Sequence, residues 1–145
     1  MNNKNKHYRV RRPKQHEELI KLLASKDEGV FDSLKSVLVF SAAVGYKAKN
    51  RQAFSETSEP IPIHYFSEGR DIPFIYTLAI AEFKNVDFLR EENFKETITV
   101  FEEYAAGGLT VLSDEITSFN IKETIEGMLS EAKPTKLIDD IASYW

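Results

Sequence analysis

Three histidines, several adjacent carboxylate pairs and two groups of cations are the side chains in this sequence whose types could act on a ligand. The histidines are His7, His16 and His64. No two stand at metal-ligand spacing, and no HExxH is present. His7 falls in a polar basic stretch and His16 on an amphipathic one, so both are expected to face solvent. His64 lies between Ile63 and Tyr65 and is expected to be packed or hydrogen-bonded. The acidic pairs are Glu17-Glu18, Glu91-Glu92, Glu102-Glu103, Asp114-Glu115 and Asp139-Asp140. Metal binding or acid–base work needs carboxylates that converge, usually from different elements. Neighbours on a helix diverge by about 100°, so these pairs read as solvated helix faces. There is no GxxxxGK[ST], GxGxxG or GxSxG pattern to cradle a phosphate or raise a nucleophile. The chain has no cysteine, which excludes disulfides, thiolate chemistry and Cys-ligated zinc and suits a reducing compartment. No catalytic, metal or cofactor site is therefore expected, and no small-molecule substrate.

The cations are the stronger candidates. Lys4, Lys6, Arg9, Arg11, Arg12 and Lys14 crowd the first 15 residues without an acid, and Lys47, Lys49 and Arg51 form a second cluster. Residues 1–51 carry 12 Lys/Arg against 5 Asp/Glu, a balance of +7, whereas residues 52–145 carry 7 against 18, a balance of −11. A basic front on an acidic body can meet a nucleic-acid backbone, an acidic protein or its own domain. Arginines could neutralise phosphates and release counterions, and Tyr8 could stack on an exposed base. A solubilising tail explains the same composition equally well.

These residues need elements to position them. Residues 1–12 lack periodicity and read as a flexible basic arm, and residues 13–145 as a single helical domain. Pro13 suits a first helical turn, followed by a stripe of Leu19, Ile20, Leu22 and Leu23. Val30, Phe31, Leu34, Val37, Leu38, Ser41 and Ala42 follow helical spacing, apolar on nearly every side from Val37 to Val44, which predicts a central helix. Gly45 is placed to end it in a left-handed C-terminal cap. Residues 47–67 form a long connection in which Ile61, Ile63 and Tyr65 alternate with Pro62 and His64, as in one arm of a small hairpin. Asp71 is expected to cap a third helix carrying Ile72, Ile75, Tyr76, Ala79, Ile80 and Phe83. Asn93 and Glu96 resemble a capping box before a long stripe from Phe94 to Ile116. Gly107 and Gly108 lie inside that stripe at about 1 kcal/mol each relative to alanine, which predicts close approach of a neighbouring helix. Ile121, Ile125, Met128 and Leu129 mark a fifth helix, and Thr135 can cap a sixth. The expected fold is mainly α, a compact bundle of five to six helices with a long proline-containing loop and at most a minor β-hairpin.

At 145 residues, 42% apolar and 29% charged, the chain fits one soluble globular domain. Its longest apolar run is far short of the ~20 residues that cross a bilayer, and its opening residues lack the apolar core of a signal peptide. A cytoplasmic location is expected, without membrane contact.

Four segments, in order, carry a resemblance: Arg-Arg-Pro-Lys-Gln-His-Glu-Glu-Leu (11–19), Val-Leu-Val-Phe-Ser-Ala-Ala-Val-Gly-Tyr (37–46), Glu-Pro-Ile-Pro (59–62) and Phe-Glu-Glu-Tyr-Ala-Ala-Gly-Gly-Leu (101–109). Over about residues 9–112 the chain resembles the DNA phosphorothioation-associated protein 4 family. That resemblance implies a place beside bacterial DNA-modification and anti-phage defence systems, which often contain large ATPases related to SMC and Rad50 proteins. It brings no catalytic residues. The expectation is a non-catalytic accessory subunit that binds a larger, SMC-like partner and meets DNA or an acidic partner surface through Lys4, Lys6, Tyr8, Arg9, Arg11, Arg12, Lys14, Lys47, Lys49 and Arg51. The alternatives are a stand-alone DNA-binding regulator and a metal-dependent nuclease or hydrolase.

Overall fold

The computed structural model describes residues 7–27, 29–116 and 121–131. Within them the protein is mainly α-helical. The helices are α1 (Glu17–Leu23), α2 (Leu34–Lys47), α3 (Asp71–Phe83), α4 (Phe94–Glu115) and α5 (Ile121–Glu131). Two short strands, β1 (Arg9–Val10) and β2 (Ile61–Pro62), pair antiparallel with Val10 opposite Ile61 and Arg9 opposite Pro62. The sixth helix expected after Thr135, and the side chains of Met128 and Leu129, lie outside the described residues.

The core is the contact between α2 and α4. Every residue from Val37 to Gly45 is buried, as the all-round apolar pattern requires. A Cβ on Gly108 would stand 1.7 Å from the Ser41 carbonyl oxygen, and one on Gly45 would stand 2.0 Å from the Tyr104 carbonyl oxygen. Advancing along α2 from Ser41 to Gly45 thus moves backward along α4 from Gly108 to Tyr104, so the two helices run antiparallel. The glycine pair in α4 has the role its helical position implied. Gly107 abuts the backbone of Asn50, just beyond α2.

Gly45 differs from expectation. It lies inside α2, and no described glycine has positive φ. What selects glycine there is the α4 backbone against it, while the left-handed turn falls to Lys49 at φ 55°. The helix also starts later than its apolar pattern, because Ser33 caps it by accepting the Ser36 amide. Pro13 precedes a 3-10 turn, Lys14–His16, rather than opening a helix. Asp71 is the first residue of α3 rather than its cap: Arg70 holds the cap position without a side-chain bond, while Asp71 N–H donates to Ser67 Oγ and Ser67 N–H donates to Asp71 Oδ2. Lys35 of α2 also donates to Asp71. Asn93 makes no side-chain cap on α4; its amide instead donates to the Asp87 carbonyl.

The expected flexible arm is corrected from residue 8 onward. Val10 is fully buried and Arg12 nearly so. Ile63 N–H donates to Tyr8 O, Ser58 N–H to Arg12 O and Lys14 N–H to Glu56 O. The partner of the 61–65 segment is therefore the N-terminal stretch, a long-range pairing rather than a local hairpin. Polar composition hid this, because one apolar side chain, Val10, anchors the strand. The pairing also explains both prolines. The Ile63 amide faces β1, so with a period of two the outward positions are 60 and 62, where proline has no N–H to leave unpaired.

Candidate binding surface

Much of the charge singled out above is spent on holding the fold. Glu102, 3% exposed on α4, accepts the Arg11 backbone amide at 2.6 Å and its Nε at 3.1 Å. The Arg11 guanidinium lies 4.6 Å from the centroid of the Phe54 ring and also donates to the Phe54 carbonyl. Burial raises the Glu102 pKa, and the bonds from Arg11 oppose that rise. Arg12 donates from Nε to the Glu59 carbonyl and from a terminal nitrogen to Glu17. Burial opposes ionisation of Glu17, but hydrogen bonding with Ser58 and the charges of Arg12 and Lys21 outweigh it and lower its pKa.

The adjacent pair Glu102-Glu103 does diverge, but toward two different arginines. Arg51 bridges Glu103 at 2.7 Å and Glu82 at 2.5 Å, and Tyr104 donates to the other Glu82 oxygen at 2.7 Å. Burial first, then Glu82, raises the Tyr104 hydroxyl pKa, which keeps it a donor. The 101–109 segment is thus a structural hub: two carboxylates tie down the N-terminal strand and the loop after α2, and two glycines admit α2 and Asn50. Among the described residues no three His, Asp or Glu side chains are placed to hold a metal ion.

The ten cationic and aromatic candidates separate accordingly. Arg11, Arg12 and Arg51 are engaged by carboxylates. Lys4 and Lys6 lie outside the described residues. Arg9, Lys14, Lys47 and Lys49 are exposed, and Tyr8 is half-buried, edge-on to Phe94 at 5.3 Å. Within the second cluster, Arg51 turns to Glu82 of α3 and Glu103 of α4.

Two of the histidines, His16 and His64, also differ from expectation, whereas His7 is exposed as expected. His16 is half-buried, with Nε2 3.1 Å from Thr110 Oγ1 of α4, and burial lowers its pKa. His64 is exposed, its ring stacked on Tyr65 at 4.6 Å. His7 stacks on Tyr8, also at 4.6 Å. The β1–β2 register brings these two His-Tyr dipeptides to the same end of the ribbon. The repeated dipeptide was visible in the sequence, but its juxtaposition depends on the long-range pairing.

Two surfaces went unread in the sequence. A groove of about 400 Å³ is lined by Leu34, Pro60, Pro62 and Tyr65, with Arg12, Lys35 and Glu59 among its polar residues. At the end of α3 and just after it, Phe83, Val86 and Leu89 are 41%, 57% and 57% exposed, with Phe83 stacked on Phe88 at 4.3 Å. Amphipathic periodicity assigned Phe83 to the core, but left-handed Lys84 ends the helix there. No described helix is long and apolar enough to cross a membrane.

A mainly α-helical scaffold stapled by long-range ion pairs, with an aromatic ribbon end and an exposed apolar rim, is the class of protein these features define. The chain belongs to the DNA sulphur modification system-associated protein 4 family, whose model matches residues 9–141. It is accordingly a protein associated with a DNA-modification system. No curated protein and no solved structure matches the chain.

Proposed function

We propose that this protein is a non-catalytic accessory subunit of a DNA sulphur modification-linked defence system. It docks on a larger protein, such as an SMC-like ATPase, and turns its N-terminal side toward DNA. The observation that carries the docking half is the Phe83, Val86 and Leu89 rim. Scattered exposed apolar residues are ordinary, but three within seven positions at one helix end are the kind of concentration that partners cover. Family membership supplies the context. The ion-pair hub supports the non-catalytic half, because the most distinctive motif, 101–109, is accounted for by packing.

A stand-alone regulator is less well supported. The basic helix it would require is a 3-10 turn followed by the seven-residue α1, whose first turn carries Glu17 and Glu18. Acids at that end would oppose phosphates.

The test is affinity purification of the tagged protein from its native host. A protein encoded by the same modification system should co-elute, and Val86→Asp with Leu89→Asp should abolish co-elution without lowering the melting temperature. Co-elution that survives both substitutions removes the rim from the reading. Metal-dependent cleavage of sulphur-modified DNA by the purified chain would overturn the non-catalytic assignment.

A further inference from the structure

We propose that the groove beside β2, with its His-Tyr rim, binds single-stranded nucleic acid. This rests on the reading that the N-terminal side faces nucleic acid, and it adds the strandedness and the residues that make contact.

The first support is the aromatic surface. Tyr65 is 61% exposed and lines the groove, backed by the His64 ring at 4.6 Å and 29°. An exposed phenol held flat by a stacked imidazole offers a face to an unpaired base. His7 and Tyr8 provide a second stacked pair, at 27°, at the same end of the ribbon. Stacking of this kind accepts any base and needs it out of a duplex.

The second support is charge. Arg9 is exposed, stands opposite Pro62, and forms no ion pair among the described residues. Directly opposed residues of an antiparallel pair share a face, which puts Arg9 on the side of the ribbon where Pro62 walls the groove. Arg12 and Lys35 line the groove, and Glu59 is its single acid. Both cations already pair, with Glu17 and Asp71 respectively. That leaves too few free charges for firm sequence-independent duplex binding, which requires many phosphate contacts. A few cations with stacking platforms suit a single strand better.

The third support concerns the rival occupant. An extended peptide would add to the sheet edge through main-chain hydrogen bonds. At the edge beside the groove the outward positions are Pro62 of β2 and Pro60 just before it, which present no donor, so that mode is blocked along this edge.

The test is fluorescence anisotropy of the full chain with labelled oligo-dT, a mixed-sequence duplex and an oligo-glutamate peptide. Oligo-dT should bind most tightly, and Tyr65→Ala should weaken it by about tenfold or more. Tyr65→Phe should retain binding. Arg9→Ala should flatten the salt dependence by about one phosphate contact, whereas Lys95→Ala, on the exposed face of α4, should not. Melting temperatures should match wild type, since Tyr65 and Arg9 are exposed. Failure to bind oligo-dT, equal or tighter binding of the duplex or the acidic peptide, or insensitivity to both Tyr65→Ala and Arg9→Ala would overturn the proposal. Tighter duplex binding that is weakened by Arg9→Ala would overturn the strandedness while leaving the reading that the N-terminal side faces DNA, whereas binding to neither nucleic acid would fail both, so the two outcomes are distinguishable.

Discussion

The Gly108 α-carbon lies against the Ser41 carbonyl oxygen, so closely that an added Cβ would stand 1.7 Å from it. The obstructing atom is backbone, which cannot swing away as a side chain could. Gly108→Ala must push α4 from α2 along their main contact. We expect a loss of about 3 kcal/mol or more, at the upper end of overpacking costs. Gly69→Ala is the control: a Cβ there meets nothing within 4 Å and φ is not positive. Its stability should stay within about 0.5 kcal/mol of wild type. Denaturant titrations of both variants check the pair.

Ser41 also carries a fully buried hydroxyl without a hydrogen-bond partner. Desolvating such a group without a bond costs about 1–3 kcal/mol. Alanine removes it, fits the same space beside Gly108 and favours the helix more. Ser41→Ala should therefore raise stability by about 1 kcal/mol, read as a higher melting temperature. A drop would mean the hydroxyl has a bonding role.

Breaking the Arg11–Glu102 contact should be costly in one direction and dependent on pH. Arg11→Ala leaves a carboxylate that is 3% exposed without its guanidinium. Unpaired buried charges typically cost about 3–5 kcal/mol. Arg11 is 35% exposed, so the expected loss is nearer 2 kcal/mol. Burial already raises the Glu102 pKa, and removing Arg11 raises it further. A carboxyl whose folded pKa lies above its unfolded value costs stability once pH exceeds that folded value, and the cost vanishes below the unfolded one. The Arg11→Ala deficit should be largest at neutral pH and shrink as pH falls. Melting curves from neutral to mildly acidic pH check this, and a constant deficit would rule out the buried charge as its cause.

The helices were legible because each buries a continuous stripe, and Val37–Val44 and Phe94–Leu112 carry enough apolar surface to fix period and position together. Gly107 and Gly108 were legible as contact points because no other role suits glycine inside a helix. Gly45 was misread because, at the end of an apolar run, a capping glycine and a packing glycine look alike. The difference lies in α4, more than fifty residues away. The same distance hid the ribbon: Arg9–Arg12 look like a tail until Ile61, Thr57 and Glu102 are placed beside them. The rim at Val86 and Leu89 escaped because Val86, Phe88 and Leu89, in so short a stretch, carry no clear period.

His16 should make stability sensitive to mild acid. Its ring is half-buried between the Lys14–His16 turn and α4, with Nε2 near Thr110 Oγ1 and the Gln15 amide, and Thr110 in turn donates to Gln52 at 2.7 Å. No carboxylate faces it in that chain, so nothing compensates a positive charge, and burial lowers its pKa from 6.5. For a base with a lowered folded pKa, the unfolded chain takes up the proton first. The stabilising contribution is complete above 6.5 and is lost as pH falls through the folded value. The Glu17 carboxyl shifts in the same direction, but its window opens only below 4.5, so the two are separable. Wild-type melting temperature should fall between neutral pH and about pH 5.5, on the alkaline side of the carboxylate window. His16→Gln keeps a neutral polar group against Thr110 and should flatten that part of the profile while leaving the Glu17 region unchanged. Parallel slopes for the two proteins between those pH values would show that the imidazole stays accessible to protons in the folded state.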